Sequence, residues 1–241
     1  MRVRHSGPWI SVALLVAFTG IALPDEPKAA AKPAAKMAVV QTKEAQSAMT
    51  PAKALDALKE GNKRFRAGTS VQKNLPAKVK ASAAGQYPFA VTLSCMDSRV
   101  PVEAICDQSI GDLFSIRVAG NVVNVDNLGS LEYAAKVIGV KLIVVLGHTS
   151  CGAIKGAIDN VKLGSLTELV AKIQPAVAAS GPGTTKDHAY VDKVGEQNVR
   201  QGMKEIREKS PVLKELLDSG AVGLVGGMYD LETGAVTFYA D

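Results

Sequence analysis

Short β-rich runs alternate with helix-patterned stretches from residue 88 onward. Pro88–Ser94 (PFAVTLS), Leu113–Val118 (LFSIRV) and Lys141–Leu146 (KLIVVL) are the first three runs. Between the last two, Leu131, Ala134, Ala135 and Ile138 recur at helical spacing within Leu128–Ile138. Strand, crossover helix, strand is the unit of a parallel sheet. Ala221–Tyr229 is a further apolar strand, and Glu232-Thr233-Gly234 is a turn signal, so Ala235–Ala240 is expected to return antiparallel. Helices are expected from the Thr50-Pro51 cap to about Gly68, over Val161–Ala179 and Val191–Lys209, and from Ser210-Pro211 to about Ser219. The expected fold class is α/β: a four-stranded parallel core sheet with an antiparallel edge strand, flanked by helices. A chain that is 47% hydrophobic and 21% charged is not disordered, and three Cys cannot staple a disulfide scaffold.

The first fifty residues read differently. Arg2 and Arg4 precede an apolar run from Trp9 to Leu23, too short for a membrane span and ending in small residues. This pattern reads as a signal peptide over residues 1–22, with cleavage after Ala22; an uncleaved anchor is the alternative. Residues 23–50 are rich in Ala, Pro and Lys and read as a flexible tether, leaving 51–241 as the folded domain. The expected location is periplasmic or secreted, with no membrane association after signal removal. The net charge of +5 then loses its meaning. Arg2 and Arg4 leave with the signal, and Lys28, Lys32, Lys36 and Lys43 face Asp25, Glu26 and Glu44 in the tether, so the domain is near +2. That is no nucleic-acid footprint.

Polar chemistry gathers where two of the strands end. Cys95-Met96-Asp97-Ser98-Arg99 follows the first run, and Gly147-His148-Thr149-Ser150-Cys151-Gly152 follows the third. Ligands of open parallel sheets bind beyond the carboxyl ends of strands. With His5 removed, the thiols and imidazoles left are Cys95, Cys106, Cys151, His148 and His188. A Cys₄ site is therefore excluded, and there is no C-x-x-C. Each Cys alone reads as a buried filler or half of a disulfide rather than as a metal ligand. Cys95, His148 and Cys151 together form a Cys₂His set that suits a zinc ion with one open position. Asp97 can ligate the metal or accept a hydrogen bond from its water, and Arg99 can hold it ionised. Cys106 reads as core filler and His188 as an exposed loop residue.

Residues 88–157 resemble a β-class carbonic anhydrase. The matching stretches are CMDSRVP (95–101), DQSIGDLFSIRVAGN (107–121), GSLEYA (129–134) and VVLGHTSCGAIKGA (144–157), with a weaker match at GLVGGMYDLETG (223–234). The resemblance implies one Zn2+ per subunit on Cys95, His148 and Cys151, and a catalytic Asp97–Arg99 dyad. Asp97 would serve as fourth ligand only in a closed state. It also implies substrate contacts from the Gly152 N–H and from Gln108, and reversible hydration of CO2 to bicarbonate by zinc hydroxide in a homodimer or homotetramer. A related CS2 or COS hydrolase and a non-catalytic periplasmic zinc-binding module are the alternatives. Because the lone Trp, Trp9, lies in the leader, no Trp-built bicarbonate pocket is expected, and Asp97 should stay on Arg99 at neutral pH.

Overall fold

The structure, a computed structural model, describes residues 41–239. The signal-peptide reading and most of the tether lie outside the described residues. Ten α-helices, a short 3-10 turn (Ala119–Asn121), a π-helical segment (Tyr133–Ile138) and five strands lie within them. The strands are β1 (Ala90–Ser94), β2 (Leu113–Arg117), β3 (Leu142–His148), β4 (Gly223–Tyr229) and β5 (Val236–Tyr239). They form one sheet in the order β2-β1-β3-β4-β5, with parallel pairs throughout except for antiparallel β4–β5. This is the expected architecture of four parallel strands and an antiparallel edge.

Every residue of β1 and β3 is buried, as expected of parallel strands covered on both faces. The period-two alternation divides their side chains. Val91, Leu93, Ile143 and Val145 pack with Val199, Met203 and Ile206 of α9 (His188–Lys209), Leu213 of α10 (Pro211–Asp218) and Leu131 of α5 (Val125–Glu132). Ala90, Leu142, Val144 and Leu146 face the other way, onto Ala54 and Leu58 of α2 (Pro51–Arg66) and Ile105 of α4 (Val102–Ile105). Each fully buried Leu or Ile contributes about 1.5–3 kcal/mol by leaving water. The two layers therefore cover the central strands on both faces.

Several elements depart from the sequence reading. Packed structure begins before residue 51: Thr42 caps a short α1 (Lys43–Ser47), and the buried Gln46 Nε2 donates to Pro88 O at 2.7 Å. A second helix, α3 (Leu75–Ser82), was not expected; Asn74 caps it, with Pro76 in its first turn. The single helix expected over Val161–Ala179 is two, α7 (Leu166–Ala171) and α8 (Gln174–Ala179). Gly164 at φ 44° delays the start, and Pro175 restarts the chain after a break at Lys172–Ile173. The helix of α5 widens over Tyr133–Ile138 and stops at Gly139, whose φ of 88° no β-branched residue adopts readily. Helix α9 starts three residues earlier than expected, because the Asp187 carboxylate accepts from Tyr190 N.

Candidate metal centre

The chain runs from β1 to β2 on one side of it, then crosses back to β3 on the other. The carboxyl ends of β1 and β3 therefore flank a topological switch point, where open α/β sheets leave a crevice. Ser94 is level with Leu146 in the β1–β3 register. Cys95, one residue past β1, and His148, the last residue of β3, thus emerge side by side. Cys151 returns to them as the N-cap of α6 (Gly152–Ile158).

The three donor atoms lie within 4.8 Å of one another, and all three residues are buried. Cys95 Sγ and Cys151 Sγ are 4.0 Å apart. Two sulfurs on a tetrahedral zinc, each about 2.3 Å from the ion, stand roughly 3.8 Å apart. His148 Nδ1 lies 2.9 Å from Thr149 O, so it donates there and leaves the Nε2 lone pair free. Nε2 is buried without a hydrogen-bond partner. A buried, unpartnered imidazole nitrogen beside two converging sulfurs is costly unless an ion completes it. The residues present therefore fit a zinc ion, whose ordinary ligands are thiolate and imidazole.

The surroundings favour negative charge on Cys95. A hydrogen bond shared with Cys151 lowers its pKa, against a desolvation that raises it; the His148 ring and the Asp97 and Gly120 N–H groups add to the lowering. Cys151 is pushed up by the same shared proton and by burial. Gly120 N donates to Cys95 Sγ at 3.4 Å. This approach requires glycine: at φ 64° a Cβ would lie 2.8 Å from Ile173 Cδ1. Asn198 of α9 holds the same turn, its Nδ2 donating to Gly120 O at 2.8 Å.

Asp97 stands at the mouth of the cluster, with Oδ2 3.9 Å from His148 Nε2. Arg99 grips it with a fork: Nε donates to Oδ1 at 2.9 Å and Nη2 to Oδ2 at 2.8 Å, while the Arg99 N–H adds a third bond at 2.9 Å. These bonds hold the Asp97 carboxyl well below the usual carboxylate range. The pair expected from the sequence is thus formed, with the carboxylate turned to Arg99.

The remaining expected site residues separate into two groups. Gly152 opens α6, beside open space where a side chain would stand. Gln108 is not brought to the cluster: its Nε2 donates to Cys106 O at 2.7 Å. Cys106 is buried among Ala54, Leu58 and Ile105, as a core filler should be, and burial pushes its thiol up to about 12. His188 begins α9 as an exposed residue.

Sequence reasoning missed the residues that hold the ligands in place. Arg117, the last residue of β2, donates from Nε to Cys95 O at 3.2 Å and from Nη2 to Asp97 O at 2.6 Å, fastening the whole 95–97 segment. Thr149 N donates to Tyr229 O at 3.0 Å, and Thr149 Oγ1 accepts from Leu231 N at 3.0 Å. The available signal was positional: Arg117 closes a strand neighbouring β1 in the sheet, so it ends on the same side as Cys95.

Comparison with known proteins agrees with this geometry. The family model described as carbonic anhydrase matches residues 90–236. Carbonic anhydrase 2 of Mycobacterium tuberculosis (strain ATCC 25618 / H37Rv) is 38% identical over 190 residues, covering 76% of this chain and 90% of that protein. A carbonic anhydrase of Mycolicibacterium smegmatis is 36% identical over 192 residues, covering 77% and 92%. Among solved structures, the β-carbonic anhydrase CafA of Aspergillus fumigatus aligns with a TM-score of 0.63 at 26% identity, covering 77% of this chain and 90% of that one. One of two β-carbonic anhydrases of Sordaria macrospora, described as tetrameric, aligns with a TM-score of 0.62 at 25% identity, covering 69% and 87%.

Proposed function

The chain belongs to the β-class carbonic anhydrase family, and on that premise we propose that it catalyses reversible hydration of CO2 to bicarbonate and a proton, using one zinc ion held by Cys95, His148 and Cys151. The observation that carries this reading is the convergence of two thiols and an unpartnered imidazole nitrogen within 4.8 Å, with Asp97 held at their mouth by Arg99. When bound, zinc acts as a Lewis acid that makes a water molecule nucleophilic near neutral pH. The protein supplies orientation. Asp97, kept ionised by Arg99, accepts the hydrogen bond of the attacking water and aims its lone pair at the CO2 carbon. Because Arg99 engages both carboxylate oxygens, Cys95, His148 and Cys151 would hold the ion without Asp97. The Gly152 N–H, in the first turn of α6, is the group that would hold an oxygen of the product bicarbonate.

Assembly and location belong to the same proposal. Strand β2 is a sheet edge, and Val125, Tyr133 and Val137 are exposed on the neighbouring helical segment. A cavity of about 660 Å³ runs there, lined by Phe114, Ile116, Val125 and Tyr133 and apart from the metal cluster. A second copy seated on this face gives the dimer. The Trp9–Leu23 run directs export to the periplasm or the exterior.

Stopped-flow CO2 hydration by the zinc-loaded full chain tests the reading. Activity should vanish on chelation, return with Zn2+, and fall at least a hundredfold in Asp97→Ala. Zinc bound stoichiometrically with no hydration would overturn the enzymatic reading in favour of a binding module.

A further inference from the structure

The turn that joins two of the three candidate metal ligands is held in an uncommon backbone conformation. Ser150, between His148 and Cys151, has φ 55°, in the left-handed region that residues other than glycine seldom occupy. Such a conformation persists where surrounding contacts enforce it. The contact here comes from outside the turn. Ser150 N donates to Asp192 Oδ1 at 2.8 Å, across 42 residues of sequence. Among the described residues, this N–H is the hydrogen-bond partner recorded for the Asp192 side chain, and no ion pair to a cation is recorded for it.

Asp192 stands on a rigid support. It lies in the first two turns of α9, a helix of 22 residues. Its neighbours Val191 and Val194 are buried in the same cluster as Cys95, Cys151 and Ile154. The apolar side of α9 therefore packs against the metal ligands, while Asp192 reaches the turn from the flank. Thr149, one residue earlier, is fastened separately to the end of β4 by its bonds to Tyr229 O and Leu231 N. The β4 contacts fix where the turn starts, and the α9 contact fixes the sense in which it bends. Reversing the bend at Ser150 would carry Cys151 away from His148.

We propose that Asp192 is a positioning residue of the metal centre: its carboxylate holds Ser150 in the left-handed conformation that brings His148 and Cys151 onto one ion, and so sets the affinity for that ion. This rests on the reading that Cys95, His148 and Cys151 bind zinc. Asp192 touches neither metal nor substrate, so its effect passes through the turn. Partners that orient metal ligands in this way typically change metal affinity by about 10–100-fold when removed.

The test is zinc affinity of the metal-depleted full chain, titrated against a chromophoric chelator, with the Co2+ absorption spectrum as a geometric readout. Asp192→Ala should weaken Zn2+ binding by roughly 10–100-fold and alter the Co2+ spectrum, with unchanged far-ultraviolet circular dichroism. Asp192→Asn, whose amide oxygen still accepts from Ser150 N, should stay within about threefold of wild type. Adding Ser150→Gly to Asp192→Ala should recover most of the loss, because glycine adopts the positive φ unaided. Wild-type affinity and an unchanged Co2+ spectrum in Asp192→Ala would overturn the proposal, as would a double variant no better than the single one. Should Asp192→Ala fail to fold, amide exchange at Ser150 in the metal-free wild type decides: protection supports the clamp, and exchange at the free-peptide rate overturns it. Failure of the wild type to bind zinc would instead overturn the underlying metal reading, and the wild-type titration shows that separately.

Discussion

Replacing Gly61 by alanine sets two physical arguments against each other. Gly61 lies inside α2, where helix propensity alone makes alanine better by about 1 kcal/mol. Tertiary contact predicts the opposite. A Cβ on Gly61 would lie 1.8 Å from Cys106 O and 2.7 Å from Cys106 C, both backbone atoms. To restore ordinary contact, the helix and the 105–108 loop must part by about 1.5 Å. The next residue cannot follow such a shift. Asn62 Nδ2 donates to Ile105 O at 3.1 Å and to Gly234 O at 2.9 Å, and its Oδ1 accepts from Val236 N at 2.9 Å. Losing these three bonds costs roughly 1 kcal/mol each, and residual overpacking adds about 1–3 kcal/mol. After subtracting the propensity gain, Gly61→Ala should destabilise the protein by about 3–5 kcal/mol. For a domain of this size that lowers Tm by roughly 6–20 °C. Differential scanning calorimetry reads it directly, with Gly156→Ala in α6 as control. There the added methyl meets only Val170 and Val161, at 3.6 and 3.9 Å, and Tm should hold or rise. A Gly61→Ala protein that melts at or above wild type would refute the reasoning.

Other expectations follow from single contacts. Cys106, buried and with its thiol pushed up to about 12, should resist iodoacetamide at pH 8 until the protein is unfolded; mass spectrometry of the alkylated native protein checks this. Asp107 is also buried, which alone would push its carboxyl up. Arg64 Nε at 2.6 Å, Val71 N at 3.1 Å and Lys73 Nζ at 3.1 Å outweigh that and hold it below the usual range. A lowered folded value contributes stability above the unfolded pKa of about 3.9 that is lost as pH falls through the folded one. Asp107→Asn should therefore cost stability at pH 7 and progressively less below pH 4. Urea midpoints across that range test it, and a deficit independent of pH would count against it. Arg117→Lys, able to reach only one of the Cys95 and Asp97 carbonyls, should lower kcat/KM about tenfold with Tm nearly unchanged; wild-type kinetics would remove Arg117 from the site's support.

Much of this protein could be read from the chain alone, for identifiable reasons. Strands β1 and β3 were visible because a strand buried on both faces must be apolar at every position. Cys95, His148 and Cys151 stood out because few side chains bind zinc, and these three follow strand ends. Asp97 and Arg99 were legible because two residues' separation lets a guanidinium fold back onto a carboxylate. The tertiary structure decided the rest. Asp192 sits on a 22-residue helix with charged residues along much of its length, where a carboxylate is the ordinary surface choice; only packing α9 across the end of β3 aims it at Ser150. Gly61 reads as a flaw in a helix until Cys106 O arrives against it. Nor did the spacing of Gln108 show that its amide would be turned to Cys106 O. Sequence carries which groups are capable of the chemistry, because that is a property of residue types. Which neighbours hold those groups in place depends on contacts between distant segments, and these exist only once the sheet has brought its strand ends together.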